Sequence, residues 1–430
     1  MEKTAIIGTG IAGMGCGYLL HRDTELTLFE QNDYPGGHTN TVTVDEDGRP
    51  VYVDMGFMVF NYQTYPNLGR LFGHLHAPVK KTDFSFSVQH RPTGLEYSGS
   101  SLNHLFAQRR NLLSPSFLKM LAEIGRFNRE SVRLLDDRRY ADYSLRQFIK
   151  EFEFGEDMLW KYLVPMSSAV WSAPMDKMLD FPAMTLIRFF HNHGFLGLST
   201  QHQWWTLDKG SQSYRALLIA PFKDRIRLNS KVVRVFRSQG KAVVETANGD
   251  QALFDRVILA CHADQALELL GDPTPDERRL LSCFSYHRNV AVLHTDASVM
   301  PRKKLAWSSW NYRIVEQNGV AVPSTIYWMN RLQQVSPNRN YFVSVNPQSD
   351  LDTSQIIRQI EYEHPLFDIP AIRAQKELGI LNRDGPLYYC GSYFNYGFHE
   401  DAFTSAFQLC RALQGARSDQ DLWKALGEGR

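Results

Sequence analysis

A run of small residues, Gly8-Thr9-Gly10-Ile11-Ala12-Gly13, closes an apolar strand, Thr4-Ala5-Ile6-Ile7, and opens an apolar helix that reaches Leu20. In that setting the first glycine permits a tight turn, the second lets backbone approach a diphosphate, and the third lets helix pack on strand. The helix then starts with free N–H groups that favour an anion. A second strand, Leu26-Thr27-Leu28-Phe29, ends in Glu30, roughly 20 residues beyond the first glycine, where a carboxylate accepts hydrogen bonds from ribose hydroxyls and repels a 2′-phosphate. Strand, turn, helix and acidic end together point to a dinucleotide. After Gln31, a second small-residue turn, Gly36-Gly37-His38-Thr39, is close enough to reach the same diphosphate or the sugar chain beyond it. The sequence offers no second G-x-G-x-x-G for a separate nicotinamide fold, so one flavin is the economical reading.

The C-terminal segment adds further candidates. A helix expected to begin at Asp401 or Ala402 presents free N–H groups to its neighbour, and such an end stabilises the negative charge of a reduced flavin. The plainer alternative is that Glu400 and Asp401 cap a surface helix. Hydride transfer needs a substrate C–H held in line, and desaturation also needs a base; His399, Tyr393 and Tyr396 are the candidate catalytic groups. His191-Asn192-His193 has i, i+2 spacing, which puts the two rings on different helix faces, and no carboxylate pattern accompanies them; no metal site is expected. Trp171, Trp204, Trp205, Trp310, Tyr327 and Trp328 line an apolar tunnel or fill the core, the latter being the commoner use of such rings.

The elements that position these groups alternate along the chain. The opening strand-helix-strand unit gives way near Tyr62 to longer helical and aromatic stretches, Leu112 to Leu135 and Leu145 to His193, with a short strand at Phe84 to Val88. Strand patterns return from Arg227 to Val235, Ala242 to Glu245 and Arg256 to Ala260. The expected architecture is therefore α/β: a Rossmann-like cofactor domain over 1-61, 206-262 and 381-430, interleaved with an α+β substrate domain over 62-205 and 263-380. A chain of 430 residues can support two such units. With 47 Lys and Arg against 46 Asp and Glu the net charge is +1, which argues against a nucleic-acid partner. Five scattered cysteines without a C-x-x-C argue against a disulfide scaffold, and with no recognisable secretion signal the expected location is the cytoplasm. The 26 Phe, 19 Tyr and 8 Trp hint at an apolar ligand.

Longer strings carry a resemblance over nearly the whole chain. Besides the Gly8 and Gly36-Gly37 turns, Asp54-Met55-Gly56, the strand end at Ala260, Cys390-Gly391-Ser392 and His399-Glu400-Asp401-Ala402 are similar to the flavin amine oxidase superfamily. Gly56-Phe57-Met58-Val59-Phe60-Asn61, Trp171-Ser172-Ala173-Pro174 and Gly397-Phe398-His399-Glu400-Asp401 most resemble predicted FAD-binding bacterial oxidoreductases related to the flavoprotein portion of plant cyclopropane-fatty-acid synthases. The resemblance implies an amine-oxidase and protoporphyrinogen-oxidase-like fold with extended, non-covalent FAD. Gly8, Gly10, Ile11, Ala12, Gly13, Glu30 and Gln31 would then hold the ADP half, with Val232 or Val233 near adenine. Gly36, Gly37, His38, Thr39, Gly56, Phe57, Ala260, Gly391, Ser392, Glu400, Asp401 and Ala402 would line the remainder. His38 stands where relatives often carry Arg, Ser392 where an acid is common, and Lys209-Gly210 where Gly-Gly is usual.

What the resemblance implies for function is dehydrogenation of an apolar acyl-lipid substrate by hydride transfer to flavin N5. Its alternatives are a flavin-dependent fatty-acid double-bond isomerase and a non-catalytic flavoprotein partner of a lipid methyltransferase. The stretch Ser101 to Tyr140 carries eight Lys or Arg against four acids, with Phe117, Leu121 and Ile124 on one helical face and Arg126, Arg129 and Arg133 on another. Such a helix would rest peripherally on an anionic inner-membrane surface, although a solvated face is the commoner use of the pattern.

Overall fold

Thr4, Ala5 and Ile6 are buried on both faces of strand Glu2–Ile7, as befits a strand with parallel neighbours and helices on either side. In the computed structural model, which describes residues 1–197, 201–416 and 418–425, this strand is the middle of a five-stranded parallel sheet. The order is Leu387–Tyr389, Arg256–Leu259, Glu2–Ile7, Thr24–Phe29 and Ile226–Arg227. Three distant stretches of chain thus meet in one sheet. The crossover helix Ile11–Leu20 packs against helix His399–Leu413, so the last third of the cofactor side lies directly on the first.

The alternating run Arg227 to Val235 predicts one strand, but the chain divides it between two sheets. Ile226–Arg227 ends the parallel sheet, Asn229 turns at φ 51°, and Val232–Ser238 starts a three-stranded antiparallel sheet with Lys241–Thr246 and Gln251–Phe254. Asn is among the few side chains that take this left-handed backbone at modest cost, so the break sits where the sequence tolerates it.

A seven-stranded sheet forms the second layer, in the order Ile356–Leu366, Ser285–His294, Phe342–Val345, Val320–Trp328, Trp310–Gln317, Phe86–His90 and Leu95–Ser98. Helices from Leu102 to Asn192 pack beside it. The first long one is Pro115–Arg133, opened by Ser114, whose hydroxyl accepts from Phe117 N, and by proline in the first turn. The stretch Leu145 to His193 is not one helix. Gly155, Pro174 and Pro182 sit at N-caps within it, and it splits into Leu145–Glu151, Glu156–Met158, Leu159–Leu163, Val164–Trp171, Met175–Met178 and Ala183–Asn192.

Leu159–Leu163 is a wide π-helical turn just before Pro165. Pro165 has no N–H to give to the Lys161 carbonyl one turn back, and the Tyr97 hydroxyl donates there instead at 2.6 Å. A tyrosine on the large sheet thereby completes the hydrogen bonding of an irregular helix.

The two layers are joined by a buried carboxylate. Asp54, at the end of strand Arg49–Asp54, accepts from Ser211 N at 2.9 Å, Ser211 Oγ at 2.8 Å, Thr41 Oγ1 at 2.5 Å and Gln333 Nε2 at 2.6 Å, and its own N–H donates to Gln333 Oε1. The turn that brings Ser211 there is left-handed at both Lys209 (φ 60°) and Gly210 (φ 76°), so lysine takes the backbone usually given to glycine. No described helix is long and apolar enough to cross a membrane.

Candidate active site

The cofactor turn is built by close approach. Gly8 has φ 97°, and a Cβ on Gly13 would lie 1.9 Å from Gly8 O, so both positions exclude side chains. Gly10 differs: a Cβ there meets no atom within 4 Å. It caps helix Ile11–Leu20, whose first turn carries no acid and no capping side chain. The N–H groups of that turn face a cavity of about 950 Å³, walled by both layers of the molecule.

Glu30 lies on the cavity wall, oriented on one oxygen by Thr9 N at 3.2 Å and the Thr9 hydroxyl, and on the other by Asn32 N at 3.0 Å and Asn32 Nδ2 at 2.9 Å. Gln31, Val232 and Ala260 share that end, whereas Val233 is turned out, 42% exposed. The strand alternates, and only one of the two valines can face inward.

Gly36 and Gly37 also take positive φ, 136° and 56°, and Gly37 abuts the Gly10 backbone. His38 stacks on Tyr362 at 4.6 Å and meets the edge of His364 at 5.2 Å, while its carbonyl accepts from Phe57 N. Burial, helped by His262 nearby, pushes its imidazole down to about 4, and its buried Nε2 has no hydrogen-bond partner. A buried polar atom without a partner is costly. Together with the room at Gly10, the bare helix terminus and the Glu30 carboxylate, it fits an elongated phosphate-bearing dinucleotide.

The C-terminal segment arrives from the opposite side. Gly391, Ser392, Tyr393, Phe398, His399 and Ala402 line the cavity, and the N-terminus of helix His399–Leu413 opens onto it, two or three residues before the start at Asp401 or Ala402 that the sequence pattern predicts. Its two acids turn elsewhere. Glu400 caps helix Pro66–His74 by accepting from Asn67 N at 3.0 Å and Leu68 N at 2.8 Å, and Asp401 accepts from Phe398 N and Asn395 Nδ2, both at 2.8 Å.

Of the three candidate catalytic groups, His399 and Tyr393 reach the wall. Tyr396 does not, and its carbonyl instead accepts from Trp171 Nε1. The Tyr393 hydroxyl is buried without a partner. His399 is stacked on Phe57 at 4.0 Å, with its Nε2 2.6 Å from the Tyr214 hydroxyl and 3.2 Å from Thr39 Oγ1; Tyr214 and Thr39 are themselves 2.6 Å apart. Burial, with His38 adding to it, pushes this imidazole down to about 3 and keeps it neutral. Tyr214 carries no motif and is invisible in the sequence.

Beyond this point the wall becomes aromatic. Trp171, Trp204, Trp310 and Tyr327 line it with Phe84 and Phe189, whereas Trp205 packs against Tyr62 and Trp328 donates to Asn340. His193 also lines it, stacked on Phe189 at 3.8 Å. Its Nδ1 donates to the Phe189 carbonyl at 2.9 Å, which fixes the tautomer and leaves Nε2 with a free lone pair; burial pushes the ring down to about 4. His191 is exposed, and among the described residues no group of three or more His, Cys, Asp or Glu is arranged to hold a metal ion.

A parallel-sheet nucleotide fold whose cavity is finished by a second, aromatic layer is the architecture of an oxidoreductase that holds a dinucleotide against a substrate cavity. The sequence matches the family model for flavin containing amine oxidoreductases over residues 11–338, and the chain belongs to that family. It is an FAD-dependent oxidoreductase. No curated protein matches the sequence. Solved structures share the fold at low identity. They include the CLA-producing fatty acid isomerase from P. acnes, 15% identical, with 97% of this chain and 99% of that one covered and a TM-score of 0.65. Cyclohexylamine oxidase from Brevibacterium oxydans IH-35A is 13% identical over 96% and 99%, with a TM-score of 0.68. A putrescine oxidase bound to putrescine is 14% identical over 96% and 99%, with a TM-score of 0.66.

Proposed function

We propose that this enzyme dehydrogenates an uncharged apolar substrate, with an acyl chain as the fitting class. One observation carries the reading. The acidic and basic side chains on the cavity wall, Glu30, Lys231, Glu268, Arg288, Glu361 and Glu363, gather around Glu30 and His262, while the aromatic wall of Phe84, Trp171, Phe189, Trp204, Trp310 and Tyr327 has none. An ammonium substrate would enter that region without a carboxylate to pair with, at a desolvation cost of several kcal/mol. An alkyl chain gains from the same aromatic surface.

When bound, FAD supplies a hydride acceptor at N5. The chain's own residues do the rest: the glycine turns and Glu30 anchor the nucleotide, Phe57 and His399 form a flat stacked pair beside the helix terminus, and the aromatic wall orients the substrate and excludes water. His193 Nε2 accepts the proton that leaves with the hydride. Anaerobic mixing with saturated and unsaturated acyl compounds and with primary amines tests the reading. Lasting loss of flavin absorbance with acyl compounds alone supports it, and loss with amines alone overturns it.

A second reading, double-bond isomerisation, draws on the likeness in fold to the P. acnes fatty acid isomerase. It requires rearranged product with no lasting loss of absorbance.

A further inference from the structure

Twelve large apolar residues among those described are exposed, and four of them, Leu102, Leu112, Leu113 and Leu118, fall within one short stretch of chain. Single exposed leucines need no explanation, but a cluster does. Leu113 is 88% exposed and Leu102 70%. They sit on a knob made by helix Leu102–Leu105, the 3-10 turn Arg109–Leu113 and the start of helix Pro115–Arg133, joined beneath by the edge-on contact of Phe106 with Phe117.

The knob's charge is one-sided. From Gly99 to Ala122 there is no Asp or Glu, while Arg109, Arg110 and Lys119 are all exposed. The fold adds three more cations from far away in sequence. Arg302, Lys303 and Lys304 are exposed beside the short turn Lys304–Ala306, which packs on helix Leu102–Leu105. Buried Glu96 holds that loop in place by accepting from Arg302 N and Lys303 N, both at 2.9 Å. Arg109 and Arg110 donate only to Asn103 and backbone carbonyls, and none of the six takes part in a described ion pair. Arg126, on the face that the sequence pattern offers to a membrane, is instead committed to the Phe152 and Glu153 carbonyls and the Phe154 ring.

We propose that this leucine-tipped, cationic knob docks the enzyme on an anionic phospholipid surface. Leu112 and Leu113 enter the headgroup boundary, and Arg109, Arg110, Lys119 and the Arg302-Lys303-Lys304 loop meet the phosphates around them. The partner follows from the two halves of the surface: exposed side chains that gain by leaving water, ringed by unpaired positive charge on a chain whose net charge is only +1.

Vesicle co-sedimentation of the FAD-loaded enzyme tests it. Wild type is expected to pellet with phosphatidylglycerol-containing vesicles at low salt and much less with phosphatidylcholine alone. The double variant L112E/L113E should weaken binding at least tenfold, and R302Q/K303Q/K304Q roughly a hundredfold, with melting temperature and flavin absorbance unchanged in both. Failure of wild type to pellet, or variants that bind as wild type does, would overturn the proposal. So would a wild-type oligomer that L112E/L113E dissolves in the absence of vesicle binding, because that result assigns the knob to a second copy of the chain.

Discussion

His399 owes its character to residues that the sequence gives no reason to associate with it. Tyr214, 185 positions away, and Thr39, 360 away, close a hydrogen-bonded triangle around its Nε2. The glycines and Glu30 were legible because a phosphate turn demands fixed types at fixed spacing. The triangle was not, because long-range side-chain pairing leaves no periodic trace. Gly10 offers a direct test of the cofactor site. Its φ of −61° suits any residue and its Cβ direction is open, so Gly10→Val should fold and melt like the wild-type apoprotein yet purify colourless. Absorbance at the flavin band beside the melting curve checks this. His193 invites a second test. If its Nε2 takes the departing proton, His193→Gln should retain flavin but slow anaerobic flavin reduction by roughly a hundredfold or more, in stopped-flow with a reducing substrate.

At the scale of elements, the opening strand-helix-strand unit could be read outright, since a continuous apolar run, a glycine turn and an acidic end all agree. The inserted helices could be located but not divided. Gly155, Pro174 and Pro182 cap the pieces, but the π-helical turn Leu159–Leu163 depends on how Pro165 is accommodated, which a tyrosine from another layer decides. Tyr97→Phe removes the hydroxyl from the Lys161 carbonyl and should cost about 1–3 kcal/mol in urea unfolding, with little change in flavin content. Helix His399–Leu413 carries a pH signature. Burial pushes Asp401 up to about 7, with Glu400 adding to the rise while the N–H of Phe398 and the amide of Asn395 oppose it. A carboxyl raised from 3.8 holds its proton more tightly when folded, so its contribution to stability is complete below that value and is lost as pH rises through about 7. Asp401→Asn should therefore gain on wild type between about pH 4 and 7 and hold a constant difference above, as urea midpoints at several pH values would show.

Over the whole molecule the histidines set the opposite slope. His38, His193, His262 and His294 are pushed down to about 4 and His399 to about 3, in each case chiefly by burial. Unfolding returns them to an ordinary value near 6.5, so the stability they confer is present above that pH and fades as it falls toward 4. Apoprotein unfolding should take up protons in this window, and the urea midpoint should drop from about pH 6.5 to 4.5; a flat midpoint there would contradict the buried neutral rings. The interleaved sheet has a further bearing on biogenesis. Among the described residues, strand Leu387–Tyr389 pairs only with Arg256–Leu259, so that edge stays bare while the ribosome adds more than a hundred further residues. Flavin capture therefore waits for Leu387 and the cavity-lining residues just beyond it, and pulse-labelled chains arrested before Leu387 should emerge without pigment.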